Sequence, residues 1–185
     1  ATYADAIIRV AQELRCEMVV TLGAAPEACP HTRPAPVVGS STTDGLVDAL
    51  ALSRPRYQGV TGLVGVLQQR LDAAGIPAVS LRVGVPYYLG NAKHPASSAS
   101  LLQHLEHVLG VPTAAASLGD DIERWRSLHD EAVADDPQAA EYVVMLEAEY
   151  DRAIDAQVAS ADTLAADLER FLREQRPDAD DGTGG

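Results

Sequence analysis

Aromatic residues are scarce in this chain, at 4% of its 185 positions, with one Trp and one Phe. Large rings therefore cannot build the interior. The 46% of hydrophobic residues must do so, mostly as Ala, Val and Leu, which suits helices packed on a sheet. Cysteine is rare too. Cys16 and Cys29 flank one apolar run, and their spacing matches no zinc or redox motif. They read as reduced thiols of a cytoplasmic protein. Basic residues are few, 14 Lys and Arg against 27 Asp and Glu, for a formal net charge of −13. Phosphate contacts by Lys and Arg supply most non-specific nucleic-acid affinity. This charge disfavours nucleic acid and an anionic membrane surface as partners and permits a cationic partner surface. The excess acid falls mainly after residue 118, on helical patterns, where it reads as a solvated face. No run approaches the roughly 18 apolar residues of a transmembrane helix, and no signal peptide is evident. An initiator methionine is missing as well. The chain opens on Ala1-Thr2-Tyr3-Ala4 already in a helical pattern, as a fragment, a processed form or a trimmed form would.

What is present is an alternation of helix and strand. Ile7, Val10, Ala11 and Leu14 recur at helical spacing, which predicts a helix over 2–15. Met18-Val19-Val20-Thr21-Leu22 reads as a buried strand released at Gly23. Val37-Val38 reads as a short strand, and Thr42 or Thr43 as the cap of a short helix through Leu50. Arg54, Pro55, Arg56 and Tyr57 fall in a loop. Thr61 opens a helix with Leu63, Val66, Leu67 and Leu71 on one stripe, stopped at Gly75. A strand follows over 78–85, and Pro95 then starts a helix that Gly110 ends.

These elements predict an α/β domain over 1–112, with a parallel-type sheet flanked by helices. Beyond Pro112 the pattern is all-helical through 175, and the Asp- and Gly-rich stretch 176–185 reads as disordered. Within the extension, Trp125 lies on one helix, Asp136-Pro137 starts the next, and Ser160 can cap a third. A sheet of this kind has about four to six strands. The sequence offers two good ones and one short one, so completion by a segment outside it or by another subunit is expected.

Two loops carry the chemistry. Pro30-His31-Thr32-Arg33-Pro34 follows the first strand, and Pro86-Tyr87-Tyr88-Leu89 follows the last. In open α/β sheets, ligands meet the loops at the carboxyl ends of strands. Arg33 can hold a carboxylate or phosphate bidentately, and His31 can exchange a proton near neutral pH. Equally, both can pin their loop to a carboxylate or a carbonyl. Arg82, inside a strand, must be paired or lie on a wet face. Tyr87 and Tyr88 can line a ligand mouth or an oligomer interface, with one of them in the core. His94 either caps the helix after it or contacts a ligand. The expectation is that Arg33 and one of the tyrosines share a crevice at the carboxyl edge of the sheet. His104 and His107, at i and i+3, read as a solvated helix face and not as a metal pair. No metal and no cofactor is expected, since no phosphate loop, nucleophile elbow or HExxH motif is present.

Several blocks in fixed order carry a family resemblance. They are Pro30-His31-Thr32-Arg33-Pro34, Val85-Pro86-Tyr87-Tyr88-Leu89, His94-Pro95-Ala96, Leu146-Glu147-Ala148-Glu149-Tyr150-Asp151 and Leu168-Glu169-Arg170-Phe171-Leu172. Over residues 2–175 the chain resembles the bacterial branch of the proteasome assembly chaperone two family. The resemblance implies a nucleoside phosphorylase-like α/β fold, a helical extension and a tendency to form homo-oligomers. Eukaryotic and archaeal relatives bind proteasome subunits, so proteasome subunits or another protein are the implied partners. Family members begin with further strands and a Gly/Asp-rich loop that nothing here matches. Three functions are open at this point. One is a non-catalytic binding or assembly module. Another is a nucleoside phosphorylase- or hydrolase-like enzyme using Arg33 and Arg82 as cations. The last is a purely structural homo-oligomer.

Overall fold

The computed structural model describes residues 3–52, 62–90 and 93–174 of the chain. The expected Arg54–Tyr57 loop, the Thr61 helix start and the 176–185 tail lie outside the described residues, as do the side chains of 157 and 159–174. The elements in order are α1 (Tyr3–Glu13), β1 (Val19–Glu27), β2 (Val37–Ser40), α2 (Leu46–Ala49), α3 (Leu63–Ala73), β3 (Ala78–Pro86), a 3-10 turn (Tyr87–Leu89), α4 (Pro95–Leu109), a second 3-10 turn (Ala115–Leu118), α5 (Gly119–Ala134) and α6 (Pro137–Glu174).

The described residues form a three-stranded sheet of order β1-β3-β2. β1 runs parallel to β3, from Val19 beside Ala78 to Glu27 beside Pro86. β2 runs antiparallel to β3, with Val38 beside Arg82. The sheet is therefore mixed, and the expected parallel-type sheet is corrected. The short β2 returns along β3 after the Pro-rich loop without a crossover helix, and only an antiparallel ladder permits that. β1 is also longer than expected. Gly23 does not end it, because pairing with β3 carries it on through Ala24, Ala25 and Pro26. An edge strand tolerates a proline that a central one would not.

Alternation along β3 sorts the layers. Val79 and Leu81 are fully buried and pack with Val47, Leu52 and Val108, which joins α2 and α4 to one face. Val83 continues that side with Ala35 and Val37. Ala78, on the other face, meets Ala4 and Ala11 of α1 and Leu67 and Leu71 of α3. Small alanines let α1 approach closely, as the shortage of aromatics requires. The outer edge of β1 has no partner strand among the described residues, and Leu22 there is 48% exposed.

Two helical details differ from the sequence expectation. Gly45, at φ +71°, precedes α2 without a side-chain cap, while the Thr43 hydroxyl bonds Asp72. α6 is one helix of 38 residues, uninterrupted at Ser160. It contains no Gly and no Pro after Pro137, and a Ser inside a helix is only mildly unfavourable. At about 1.5 Å per residue it overruns the 16-residue α5 by roughly 30 Å.

The close approach of β2 to Leu52 makes a test of this packing. A methyl at Gly39 would lie 2.6 Å from Leu52 Cδ1 and 2.8 Å from its Cβ. Leu52 is buried and its Cβ cannot swing away, so Gly39→Ala should destabilise the fold by about 1–3 kcal/mol. An unchanged urea midpoint would show that β2 does not press on Leu52.

Candidate functional site

The carboxyl ends of β1 and β3 lie side by side because the two strands are parallel and in register. The loops that follow them, carrying His31–Arg33 and Tyr87–Tyr88, therefore meet. The His31 backbone N–H donates to the Tyr88 hydroxyl at 2.9 Å, and His31 Nδ1 lies 2.7 Å from the same oxygen. With its oxygen accepting from the backbone, Tyr88 gives its own proton to Nδ1. The other nitrogen, Nε2, then carries the hydrogen and donates to Asp130 of α5 at 3.1 Å. His31 is 2% exposed and satisfied on both ring nitrogens. Burial holds its pKa below the ordinary 6.5, and the Asp130 bond opposes that only in part. Tyr88 is pushed up to about 12, chiefly by burial, so its hydroxyl stays protonated.

Arg33 is engaged by α6. Its Nε and Nη2 donate to the two Asp151 oxygens, both at 2.9 Å, and Nη1 donates to Glu147 at 3.1 Å. The Thr32 hydroxyl also donates to Glu147. Glu147 and Asp151 stand one helical turn apart, so both face the same loop. The Arg33 hydrogen bonds hold the Asp151 carboxyl below its usual range. The guanidinium that could have taken a ligand anion is thus paired within the chain, and the loop-pinning alternative is the one the geometry realises.

Tyr87 and Tyr88 pack edge to face with Tyr142 of α6, and the Tyr87 hydroxyl donates to that of Tyr142 at 2.6 Å. Tyr87 is 53% exposed while Tyr88 is half-buried, so the pair divides between solvent and site. Trp125 fills the centre of the cluster against the rings of His31, His94 and His129. His94 precedes α4 without capping it through its side chain, and its Nδ1 is buried without a hydrogen-bond partner. Burial lowers its pKa, against a raising contact from the Gly90 backbone.

The loops carrying Arg33 and the two tyrosines thus meet at one end of the sheet, joined through His31, Tyr88 and α6, and His94 reaches the same ring cluster through Trp125. Arg82 is not part of it. It lies exposed in the middle of β3, between Gly23 and Val38 on the neighbouring strands. His104 and His107 are elsewhere on α4, bonded to the Ser100 and Leu50 carbonyls. Among the described residues no cluster of His, Cys, Asp and Glu is arranged to hold a metal. Cys29 is a buried thiol, its pKa pushed up to about 12 by burial and by Glu27.

Sequence reasoning missed the partners: Trp125, His129, Asp130, Tyr142, Glu147 and Asp151. Faint signals existed. Trp125 and His129 are one turn apart with Asp130 adjacent, and Glu147 and Asp151 are one turn apart in a block already singled out.

His31 and His94 both bind protons more weakly when folded than when unfolded. The unfolded chain then takes up more protons just below pH 6.5, so stability is full above that value and falls as the pH drops. The groups facing His31 are Asp130 and His129 on α5, Glu147 on α6 and Tyr88 after β3. The urea midpoint should decline as the pH falls below about 6.5, and less steeply in His31→Asn. Equal slopes in the two proteins would remove His31 from this role.

No curated protein matches the chain. Among solved structures it is similar to a PAC2 family protein from Streptomyces avermitilis, with 37% identity, a TM-score of 0.69, and coverage of 76% of this chain and 59% of that one. It is similar to the same degree to the Mycobacterium tuberculosis proteasome-assembly chaperone homologue Rv2125, with 37% identity, a TM-score of 0.67, and coverage of 76% and 60%. The Mycobacterium tuberculosis protein of unknown function Rv2714 matches at 28% identity and a TM-score of 0.75, over 86% of this chain and 54% of that one. The chain thus spans little more than half the length of these structures. The sequence model of the PAC2 family matches residues 1–133, ending before α6. With that match covering well over half of its residues, the chain belongs to the PAC2 family.

Proposed function

We propose that the chain is a non-catalytic binding and assembly module of proteasome-assembly-chaperone type. The observation that carries this reading is PAC2 family membership combined with 37% identity to a protein described as a proteasome-assembly chaperone homologue. Its partners on this reading are proteasome subunits or another protein, and further copies of the chain itself. We take the scaffold to be a nucleoside phosphorylase-like α/β layer with a helical extension, working in the cytoplasm. No helix among the described residues is long and apolar enough to cross a membrane.

Two exposed regions suit protein contacts. Among the described residues β1 has an edge without a partner strand beside exposed Leu22, and open strand edges invite pairing. α1 and the turn that ends it present Tyr3, Val10 and Leu14 on a single stripe, all exposed. Stripes of this kind on a helix mark a face that another surface covers. The enzyme alternative needs cations free to hold a phosphate, and Arg33 is spent on Asp151 and Glu147. The observations do not favour it.

Immobilised chain should retain proteasome core subunits from its source organism, and nucleosides with phosphate should leave its melting temperature unchanged. Retention of no core subunit, with a phosphate-dependent rise in melting temperature, would reverse the reading in favour of the enzyme. In sedimentation the chain should associate, and Leu14→Glu or Leu22→Glu should weaken that association. A wild-type monomer at all concentrations would remove the homo-oligomer part.

A further inference from the structure

The apolar core of the α/β layer stops at α4. Its three clusters of buried side chains contain no residue beyond Val108. α5 and α6 bury Trp125, Val143 and Leu146, yet none of these joins those clusters. What ties the two helices to the strand-end loops is polar and aromatic. His31 bonds Asp130, Thr32 and Arg33 bond Glu147, Arg33 bonds Asp151, and Tyr87 bonds Tyr142. Most of these contacts issue from one short loop segment.

The connection into α5 is built differently. The Thr113 backbone N–H and hydroxyl both donate to Glu106 of α4, at 2.8 and 3.0 Å. Ala114 then takes φ +62°, a conformation that few non-glycine residues adopt. The linker is anchored to α4 through Thr113, and the Ala115 backbone beyond it also bonds Glu106.

We propose that the α5–α6 hairpin is a clasp that opens and closes on the α/β layer as one unit, held shut by the contacts of His31, Thr32, Arg33 and Tyr87. Opening frees the Arg33 guanidinium from its internal carboxylates and uncovers Tyr88 and Trp125. The closed form is favoured by charge pairs that are only partly buried, with Arg33 at 32% side-chain exposure and Asp151 at 52%. Partly exposed pairs are screened by salt, whereas the hydrophobic clusters under β3 are not weakened by it. Salt therefore acts on the clasp and spares the sheet. The proposal goes beyond the assembly reading and holds whichever partner the chain binds.

Native-state hydrogen exchange on the full chain, followed segment by segment, tests this. Local opening exposes amides at a lower free energy than global unfolding. Amides at Trp125, Val143 and Leu146 should exchange at least about tenfold faster than those at Val79 and Leu81. Raising KCl from about 0.05 to about 1 M should widen that gap. Arg33→Gln and Asp151→Asn should widen it in the same direction at low salt, and should blunt the salt response. Trp125 is the only tryptophan, so its emission should shift toward the red under the same conditions while the exchange of β3 stays constant. Equal protection of hairpin and β3 in the unmodified chain would overturn the clasp, as would a salt effect that reaches β3 equally. The salt series needs no variant, so the test stands even where a substitution prevents folding.

Discussion

The arrangement of the strand-end loops depends on a neutral His31. Its ring sits in a dry position with one nitrogen accepting from Tyr88 and the other donating to Asp130. Only the Nε2–H tautomer does both at once. A protonated ring would offer a second donor to a tyrosine oxygen that already receives the His31 backbone N–H. Nearby Asp130 and Glu147 favour the charged ring, but burial acts more strongly and in the opposite direction. From that single side chain the site is assembled: the loop after β1 is fixed to the turn after β3, and both are fixed to α5. Thr32 and Arg33, next in sequence, are then delivered to α6.

That geometry reassigns the cations. An arginine at a strand end is a candidate for phosphate or carboxylate recognition because its fork matches two oxygens. Here two oxygens are already supplied, both by Asp151, with Glu147 beside them. Arg82 remains exposed, but it stands in mid-strand, away from His31, Tyr87 and Tyr88. Catalysis on an anionic substrate would need its cations and its acid–base group in one place. In this chain the first is sequestered, the second lies apart and the candidate base is bonded on both sides.

Much of the fold was legible because local chemistry and tertiary packing agree. Pro95 at the first turn and Gly110 at φ +67° bound α4 as the sequence expects. The stripes on α1 and α3 are only half realised: Ala11, Leu67 and Leu71 are buried toward the sheet, while Val10, Leu14, Leu63 and Val66 stay exposed. Misreadings arose where a distant partner decides. Gly23 and Pro26 look like the end of a strand until β3 runs beside them for nine residues. The direction of β2 is set by the loop that precedes it and not by its own four residues. Ser160 resembles a cap, but without a breaker nearby the helix continues through it.

The candidate site was half legible for a related reason. A loop of Pro, His, Thr and Arg advertises itself, because such residues have little reason to cluster unless something holds them. Their partners do not advertise themselves. Glu147 and Asp151 belong to an acidic helix whose described carboxylates are mostly exposed, and nothing local separates these two from Glu141, Glu149 or Asp155. What distinguishes them is that Arg33 arrives opposite. The excess of acid thus has a structural use. A helix crowded with carboxylates meets a basic loop with little demand on register, since a carboxylate lies within reach at almost every turn. The parallel pairing of β1 with β3 then fixes which carboxylates are taken.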